Sequence, residues 1–353
     1  MSAAFELVIT GREESLIWAG DLAELPEHGA LRRTRILPVL DANALNAHRV
    51  RIEALQLRLG ATVLEPLLLP GGESCKAMSG FPSLVESALA RGLDRNTRLL
   101  VVGGGAVLDA GQFLAAVLLR GLECLVVPTT LLAQVDAGLG GKCGLDVGAS
   151  KNQVGVIRQP RAVLVDPAFL STLPSSELQS GWGEMCKMAL LEGEECINTL
   201  KSCAQEGSRI PDACVLRALL RAKARFVASD AREQGRRVFL NLGHTVGHAL
   251  ESLALESEVA LPHGVAIALG LRAETRWFSA EAAPLVDGLL DACGLPAAAP
   301  AGLDWSRLED HLVRDKKVRE GMLRVPVIGS AGQAWIVMAA VADCVAAARS
   351  LAS

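Results

Sequence analysis

Histidines at helical spacing are the clearest chemical signal in the chain. His244 and His248 stand four residues apart, so a helix would place both imidazoles on one face, as in many metal sites. His263 offers a third imidazole at a predicted helix start, and Glu184 offers a carboxylate. These four residues predict a divalent metal site, which keeps an open coordination position if three of the four bind.

Basic residues surround these candidate ligands in the sequence. Glu184 and Lys187 are three residues apart and share a face of a predicted helix, although a surface ion pair would be the better explanation of that spacing if the two stood alone. Other cations lie before and after the histidine pair, namely Lys223, Arg236, Arg237, Lys316 and Lys317. Cations beside a metal favour a substrate with several negative charges. The alternative, a solvated helix face, fits Arg225 better than Arg237.

Two glycine turns in the first half of the chain could bind phosphate. Residues 103–105 are three glycines that follow an aliphatic strand and open a helix, where backbone N–H groups can approach an anion. They do not form the Rossmann fingerprint, because Leu108 stands where glycine or alanine is required. The second turn, residues 71–76, carries Glu73 and Lys76. Tight structural turns remain the alternative for both.

A long glycine-rich, polar segment spans residues 134–152 between aliphatic runs. Loops of this composition are usually functional. Lys142, Lys151 and Asn152 suit an anion and its hydroxyl groups, and Asp136 can accept hydrogen bonds from ligand hydroxyls. We therefore expect this segment to be a loop that contacts a ligand.

The elements that must position these residues differ between the two halves of the chain. In the first half, aliphatic strands at 35–40, 62–69, 97–102, 122–127 and 162–166 alternate with helices at 44–59, 84–91 and 106–119. This predicts an α/β fold with a Rossmann-like parallel sheet covered on both faces. Most later segments have helical spacing, namely 175–192, 197–203, 213–228, 245–254, 264–280 and 285–293, followed by strands at 323–328 and 334–337. We expect domains at 1–168 and 169–353.

Composition bounds the possible partners. The 353 residues include 35 basic and 39 acidic side chains, a balance that argues against nucleic acid as the main partner. No apolar stretch approaches the roughly 20 residues that span a bilayer, and the first residues do not resemble a signal peptide. The nine cysteines contain no Cys-x-x-Cys pair, which predicts reduced thiols in a cytoplasmic protein.

Taken together, these motifs resemble the 3-dehydroquinate synthase and sugar phosphate cyclase family. The resemblance runs from about Asp41 to Ile336 and depends on blocks in a fixed order, at 71–76, 103–109, 120–121, 128–136, 140–142, 151–152, 184–187, 240–248, 263–264 and 315–317. It implies a Rossmann-like NAD domain at 1–168 and a mostly helical metal and substrate domain at 169–353. Each block alone is modest evidence for the family, but the complete set in this order is highly specific to it.

The resemblance also implies cofactors and the residues that bind them. Zinc or cobalt would bind Glu184, His244 and His263, which leaves His248 on the substrate side. NAD would bind in the cleft of the first domain, at positions Asp41, Glu73, Lys76, Gly104, Gly105, Asp109, Thr129, Thr130, Leu132, Asp136, Lys142 and Lys151.

The same comparison of positions implies a catalytic and substrate-binding set. It comprises Asp136, Lys142, Lys151, Asn152, Lys187, Lys223, Arg237, Asn241, His248, and one or both of Lys316 and Lys317. Arg120 matches an arginine that reaches the phosphate of the neighbouring subunit's substrate, so a homodimer is implied. The partner molecule is a small phosphorylated sugar acid, with neither nucleic acid nor membrane involved.

The implied reaction is a cyclisation with phosphate elimination in the shikimate pathway. It would convert 3-deoxy-D-arabino-heptulosonate 7-phosphate to 3-dehydroquinate and phosphate, with NAD oxidising the substrate transiently and being regenerated in each turnover. Alternatives are a secondary-metabolic cyclase of the amino-dehydroquinate, valiolone or inosose type, a polyol dehydrogenase of the glycerol dehydrogenase type, and a non-catalytic NAD-binding regulator. Four residues depart from the family pattern: Leu108, Leu119, Asp146 (commonly asparagine) and Trp182.

Overall fold

The chain forms two compact units. The computed structural model describes residues 6–10, 13–32, 35–60, 62–148, 150–205, 209–230, 235–313 and 322–352. One unit consists of residues 1–173 and 212–231, and the other of residues 174–211 and 232–353. This division differs from the predicted one at 168/169 chiefly because residues 212–231 return to the first unit.

The first unit is built on an eight-stranded sheet. Its strands are β1 (Glu6–Thr10), β2 (Glu13–Ala19), β3 (Arg35–Asp41), β4 (Thr62–Val63), β5 (Leu67–Leu69), β6 (Thr97–Gly103), β7 (Cys124–Pro128) and β10 (Ala162–Val165). The order is β1-β2-β10-β7-β6-β3-β4, and β5 also pairs with β3. Only β1 and β2 pair antiparallel; the remaining pairs are parallel. The predicted α/β fold with a parallel sheet is therefore confirmed.

Helices cover the sheet and make up most of the second unit. They are α1 (Ala42–Arg58), α2 (Phe81–Leu89), α3 (Gly105–Val117), α4 (Ser175–Glu192), α5 (Glu194–Gln205), α6 (Ala213–Ser229), α7 (His244–Glu256), α8 (His263–Phe278), α9 (Ala283–Ala292), α10 (Leu308–Val313) and α11 (Val341–Arg349). Helix α6 packs on β1 and β2, which explains why it belongs to the first unit. Strand β6 is buried along its whole length, as an aliphatic strand with helices on both faces should be.

Two predicted elements differ from the observed ones. The strand predicted at 62–69 is two short strands, β4 and β5, separated by residues 64–66, where Pro66 supplies no N–H for strand pairing. The segment 134–152 is a π-helical turn at Ala133–Ala137 followed by an antiparallel hairpin of β8 (Lys142–Val147) and β9 (Ser150–Ile157). The glycines that suggested a loop serve close strand contact, since a Cβ at Gly144 would lie 2.6 Å from the Val154 carbonyl oxygen.

The second unit packs its helices around a separate apolar core. Strands β11 (Met322–Ser330) and β12 (Gln333–Ala340) form a two-stranded antiparallel sheet. Leu250, Leu269 and Val325 are fully buried in a cluster that joins α7, α8 and β11. Burial of each such side chain contributes roughly 1.5–3 kcal/mol, which gives α7 and α8 a firm base for the histidines at their first residues.

Two global expectations can be compared with this fold. In the described part of the chain, no helix has both the length and the apolar character that crossing a membrane requires. All nine cysteines are free thiols, in line with the absence of a paired motif in the sequence.

Candidate functional site

Close backbone contact between α4 and α8 builds the candidate metal centre. A Cβ at Gly183 would lie 1.8 Å from the Gly264 carbonyl oxygen, and a Cβ at Gly264 would lie 1.7 Å from the Ser180 carbonyl oxygen. No side chain other than hydrogen fits at either position. Because Glu184 follows Gly183 and His263 precedes Gly264, this crossing brings their side chains to the same point.

Helix α7 is held against α8 by a buried carboxylate. Glu274 of α8, 1% exposed, accepts hydrogen bonds from the backbone N–H groups of Gly243 at 3.0 Å and Val246 at 2.8 Å. These donors lie at the start of α7, where helix N–H groups lack partners within the helix. His244 is the first residue of that helix, so Glu274 fixes its position.

Three ligand atoms converge at this point. Glu184 Oε1 lies 3.5 Å from His244 Nε2 and 3.5 Å from His263 Nε2. Ligands placed about 2.1 Å from a tetrahedral metal ion are about 3.4 Å apart, so the spacing fits zinc or cobalt. Glu184 is completely buried, and within the described residues its Oε1 accepts no hydrogen bond. A cation at this point would satisfy that oxygen.

The hydrogen bonds made by Nδ1 of His244 and His263 determine which ring nitrogen can bind a metal. His244 Nδ1 lies 3.0 Å from the Leu242 carbonyl oxygen, and His263 Nδ1 lies 3.0 Å from Glu251 Oε2. Both oxygens can only accept, so each Nδ1 donates its proton. A neutral imidazole then presents a lone pair on Nε2, the form that binds a metal.

Charges around the centre favour an ionised carboxylate. The Lys187 ammonium pairs with Glu184 Oε2. Burial opposes ionisation of Glu184, but Lys187 and the two histidines hold its pKa well below the usual range. Burial and the Lys187 charge lower the pKa of His244 well below its usual value, which keeps that ring neutral. Against the effect of burial, Glu184 and Glu251 raise the pKa of His263 to about 10, so a metal must displace a proton there.

His248 lies beside this triad. Its exposed ring is 5.0 Å from the His244 ring and 5.9 Å from the His263 ring, centroid to centroid. It forms a second possible ligand group with Glu251 and His263, which shares one imidazole with the first group. The group of Glu184, His244 and His263 has the better fit, because two of its three members are buried and burial removes water that would compete with the ligands.

Other predicted substrate residues of the second unit lie close to α7 in sequence. Arg237 is buried and Asn241 half-buried in the 3-10 helix Arg236–Asn241 that leads into His244. Asn241 Nδ2 donates to the Val238 carbonyl oxygen at 3.2 Å. Lys316 and Lys317 lie outside the described residues.

In the first unit, the carboxyl ends of parallel strands bring together the predicted cofactor residues. Asp41 ends β3, Gly103 ends β6, and Thr129 follows β7. Gly104 is the N-cap of α3 and supplies no side-chain hydrogen bond, so the N–H groups of the first helical turn have no side-chain cap. A glycine turn opening a helix at this edge is the usual place for a phosphate.

Lys76 is the centre of a polar cluster near this edge. It is 3% exposed, and its Nζ donates to Asp109 Oδ2 at 2.8 Å and to Asn152 Oδ1 at 2.7 Å. Glu73 Oε1 lies 3.7 Å from the same nitrogen. Burial raises the pKa of Asp109 to about 6, although Lys76 opposes the shift. The structure thus joins Glu73 and Lys76 to Asp109 and Asn152, which lie 33 and 76 residues after Lys76 in sequence.

The remaining predicted residues of the first unit fall into two groups. Lys223 of α6 donates to Asp136 Oδ1 at 2.6 Å and also contacts the Asp136 carbonyl oxygen. The other residues lie on the surface or at the sheet edge: Lys142, Lys151 and Arg120 are exposed, Thr130 and Leu132 are half-buried, and Gly105 begins α3. Arg120 follows Leu119 in a left-handed stretch of backbone, with φ of 67° and 50°.

Two residues that support the candidate metal centre were not predicted. Glu251 stands three residues after His248 on α7, so helical spacing could have identified it. Glu274 reaches α7 from 28 and 31 residues away, and no local pattern marks it.

Comparisons with known proteins cover most of the chain. Residues 66–180 match the family model described as 3-dehydroquinate synthase N-terminal, and residues 181–318 match 3-dehydroquinate synthase C-terminal. A 3-dehydroquinate synthase of Brucella ovis is 36% identical over 325 residues, which cover 87% of this chain and 84% of the relative. One from Solibacter usitatus is 39% identical over 293 residues, 80% of this chain and 81% of the relative.

Solved structures share the fold at lower sequence identity. A 2-deoxy-scyllo-inosose synthase complexed with carbaglucose-6-phosphate, NAD+ and Co2+ superposes with a TM-score of 0.84 at 22% identity, covering 98% of this chain and 100% of that one. A 2-epi-5-epi-valiolone synthase from Streptomyces hygroscopicus with NAD+ and Zn2+ bound superposes with a TM-score of 0.82 at 24% sequence identity, covering 99% of both chains. A probable glycerol dehydrogenase from Sinorhizobium meliloti superposes with a TM-score of 0.60 at 18% sequence identity, covering 94% of both chains.

Proposed function

Because this chain belongs to the 3-dehydroquinate synthase family, we propose that it converts 3-deoxy-D-arabino-heptulosonate 7-phosphate to 3-dehydroquinate and phosphate. The observation that carries the proposal is the buried convergence of Glu184 Oε1 with two imidazole Nε2 atoms at 3.5 Å, beside the Lys187 cation. A metal held by these ligands could polarise a substrate hydroxyl, and the nearby cation suits an anionic substrate. The reaction eliminates phosphate, which makes the enzyme a carbon–oxygen lyase.

The two cofactors would be held by residues already described. Glu184, His244 and His263 would hold zinc or cobalt, and NAD would lie at the sheet edge formed by Asp41 and the turn at 103–105. When bound, the metal polarises a ring hydroxyl and NAD accepts and returns a hydride. The Nδ1 hydrogen bonds of His244 and His263 orient both rings before a metal binds, so little reorganisation of the rings accompanies metal binding.

Side chains of the second unit supply charge and position. Lys187 keeps Glu184 ionised and adds a cation beside the reacting centre. Arg237 and Asn241 would bind the carboxylate and hydroxyl groups of the substrate, since a guanidinium pairs well with a carboxylate. His248, exposed next to the triad, would hold or move a proton on the substrate side. Positioning and electrostatics then account for most of the protein's share of the catalysis.

Side chains of the first unit would bind the cofactor and the remaining substrate groups. Lys76 and Glu73 fit the ribose end of NAD, and the N–H groups at the start of α3 fit its pyrophosphate. Lys223 fixes Asp136 through a 2.6 Å hydrogen bond, which aims that carboxylate at a ligand hydroxyl. Lys142 and Lys151 offer exposed cations for an anion.

We also propose a homodimer in which Arg120 serves the partner's substrate. Arg120 is exposed and held in a left-handed backbone conformation, with φ of 67°. Such conformations cost roughly 1–3 kcal/mol and are common where a side chain must be aimed at a ligand. Size measurement in solution tests the dimer, and a mixture of Arg120→Ala and Glu184→Gln subunits tests the shared site by recovery of activity.

Phosphate release tests the proposed reaction directly. Protein loaded with zinc and NAD should release one phosphate per heptulosonate 7-phosphate with no net NADH, and a chelator should abolish the release. Glu184→Gln should lose activity, whereas Glu309→Gln, on an exposed position of α10, should retain it. Absence of phosphate release from this substrate by metal-loaded protein would refute the proposal. Turnover of other sugar phosphates instead would indicate a secondary-metabolic cyclase, and NADH accumulation with glycerol a polyol dehydrogenase.

A further inference from the structure

Asp146 connects the β8–β9 hairpin to the Lys76 cluster. Its Oδ1 accepts a hydrogen bond from the Asn152 backbone N–H at 2.6 Å. The same oxygen lies 4.0 Å from Lys76 Nζ, and the Asp146 backbone forms an isolated bridge with Ala77, the residue after Lys76. Asp146 therefore contacts both partners of the Lys76–Asn152 hydrogen bond.

Asn152 needs such support because of its backbone. Its φ of 54° lies in the left-handed region, which costs a non-glycine residue roughly 1 kcal/mol or more and persists only when surrounding contacts impose it. The hairpin is irregular at this point, since its register shifts between Leu145 and Val147. The regular ladder of the hairpin is thus interrupted at Asp146, whose carboxylate accepts the Asn152 N–H.

The orientation of the Asn152 side chain follows from this backbone. Its Oδ1 accepts from Lys76, and among the described residues its Nδ2 has no partner, so two amide donors remain for a ligand. Lys76 in turn donates to Asp109, which lies in the first turns of α3 near the glycine turn at 103–105. A change at Asp146 would therefore affect Asn152 directly and Asp109 through Lys76.

From these contacts we propose that Asp146 is a positioning residue, which acts through Asn152 to place Lys76 and the Asn152 amide for their ligands. The inference depends on the proposed function for the identity of those ligands, NAD and the sugar phosphate. It requires the hydrogen-bond acceptor of Asp146 rather than its negative charge. Asparagine at this position would keep an accepting oxygen, whereas alanine would not.

Two variants separate the acceptor from the charge. Asp146→Ala should raise the NAD dissociation constant about tenfold, measured by calorimetry on the zinc-loaded protein without substrate. Asp146→Asn should bind NAD within about threefold of the wild type and rescue the defect. Asp94→Ala is the matched control, because the Asp94 carboxylate likewise accepts a backbone N–H from a residue that follows it, Asn96 at 2.9 Å, but lies apart from the cluster.

A double-mutant cycle tests whether Asp146 acts through Asn152. In an Asn152→Ala background, Asp146→Ala should weaken NAD binding by less than about twofold further. Additive effects would overturn the inference, as would a tenfold loss in Asp146→Asn or unchanged binding in Asp146→Ala. If Asp146→Ala does not fold, the asparagine variant still decides, because its tenfold loss would place the effect in the charge.

The outcome is separable from the proposed function. Wild-type protein that fails to bind NAD at all would remove the proposed function itself. Normal NAD binding by the wild type with no effect of Asp146→Ala would remove only the positioning role. In turnover with heptulosonate 7-phosphate, the positioning role predicts a raised KM for Asp146→Ala and a kcat within about threefold of wild type.

Discussion

Replacing Glu274 by glutamine should weaken the attachment of α7 to α8. Both carboxylate oxygens of Glu274 accept backbone N–H groups, at 3.0 Å from Gly243 and 2.8 Å from Val246. Glutamine keeps one accepting oxygen and turns an NH2 group towards the other donor. That buried N–H then loses its partner and meets a second donor.

The expected loss is about 2–3 kcal/mol. Removing the acceptor leaves one buried donor unsatisfied, which costs roughly 1–3 kcal/mol. The lost carboxylate charge also interacted favourably with the positive end of α7, by roughly 0.3–1 kcal/mol. Because Glu274 is 1% exposed, water cannot replace the missing acceptor.

Amide hydrogen exchange along residues 244–256 is the appropriate assay, since two compact units need not unfold in one step. Protection of α7 in metal-free Glu274→Gln should fall by about 30- to 150-fold relative to the wild type, while protection of β6 in the first unit should not change. Zinc affinity should fall about tenfold, because His244 begins α7. Glu281→Gln, at an exposed position of the same unit, is the control. Protection of α7 within threefold of the wild type would refute the reasoning.

Three further changes test neighbouring parts of the two units. Glu251→Gln should lower zinc affinity about 10- to 100-fold by titration with a competing chelator, because it weakens the 3.0 Å contact that orients His263; unchanged affinity would contradict this role. Gly264→Ala should destabilise the second unit by about 3 kcal/mol or more in denaturant unfolding, because its Cβ would lie 1.7 Å from the Ser180 carbonyl oxygen. A stable variant that binds zinc normally would disprove the close crossing of α4 and α8. The pKa of Asp109, raised by burial to about 6, means that the folded state binds more protons than the unfolded state between about pH 4 and 6. The contribution of Asp109 to stability should therefore fall as pH rises through that range, so the wild type should lose stability relative to Asp109→Asn; parallel curves would argue against the shift.

Local patterns allowed much of the fold and the metal centre to be predicted. The parallel sheet could be predicted because strands such as β6 carry aliphatic residues on both faces. This pattern is typical of strands that are buried on both sides, as in parallel sheets covered by helices. The imidazoles of α7 were identified because helical periodicity is a property of a few neighbouring residues. Glu251 follows the same periodicity and was available to the same reasoning.

Contacts between distant segments could not be predicted from such patterns. The glycines of β8 and β9 have the composition of a loop, and only the partner strand shows that they permit close contact at Gly144. The return of α6 to the first unit depends on packing against β1 and β2, while Lys223 meets Asp136 from 87 residues away. Neither periodicity nor composition encodes such pairings.

The two sites differ in what fixes their geometry, and this difference has a consequence for function. The proposed metal ligands Glu184 and His263 are placed by backbone contact between helices at Gly183 and Gly264, which leaves no room for a side chain at either glycine. The Lys76 cluster is placed by side chains and by one strained residue, Asn152. Helix crossings hold ligands more rigidly than loops and hairpins do. Substitutions that alter ligand preference while the metal site is retained should therefore accumulate around Asn152 rather than at the helix crossing.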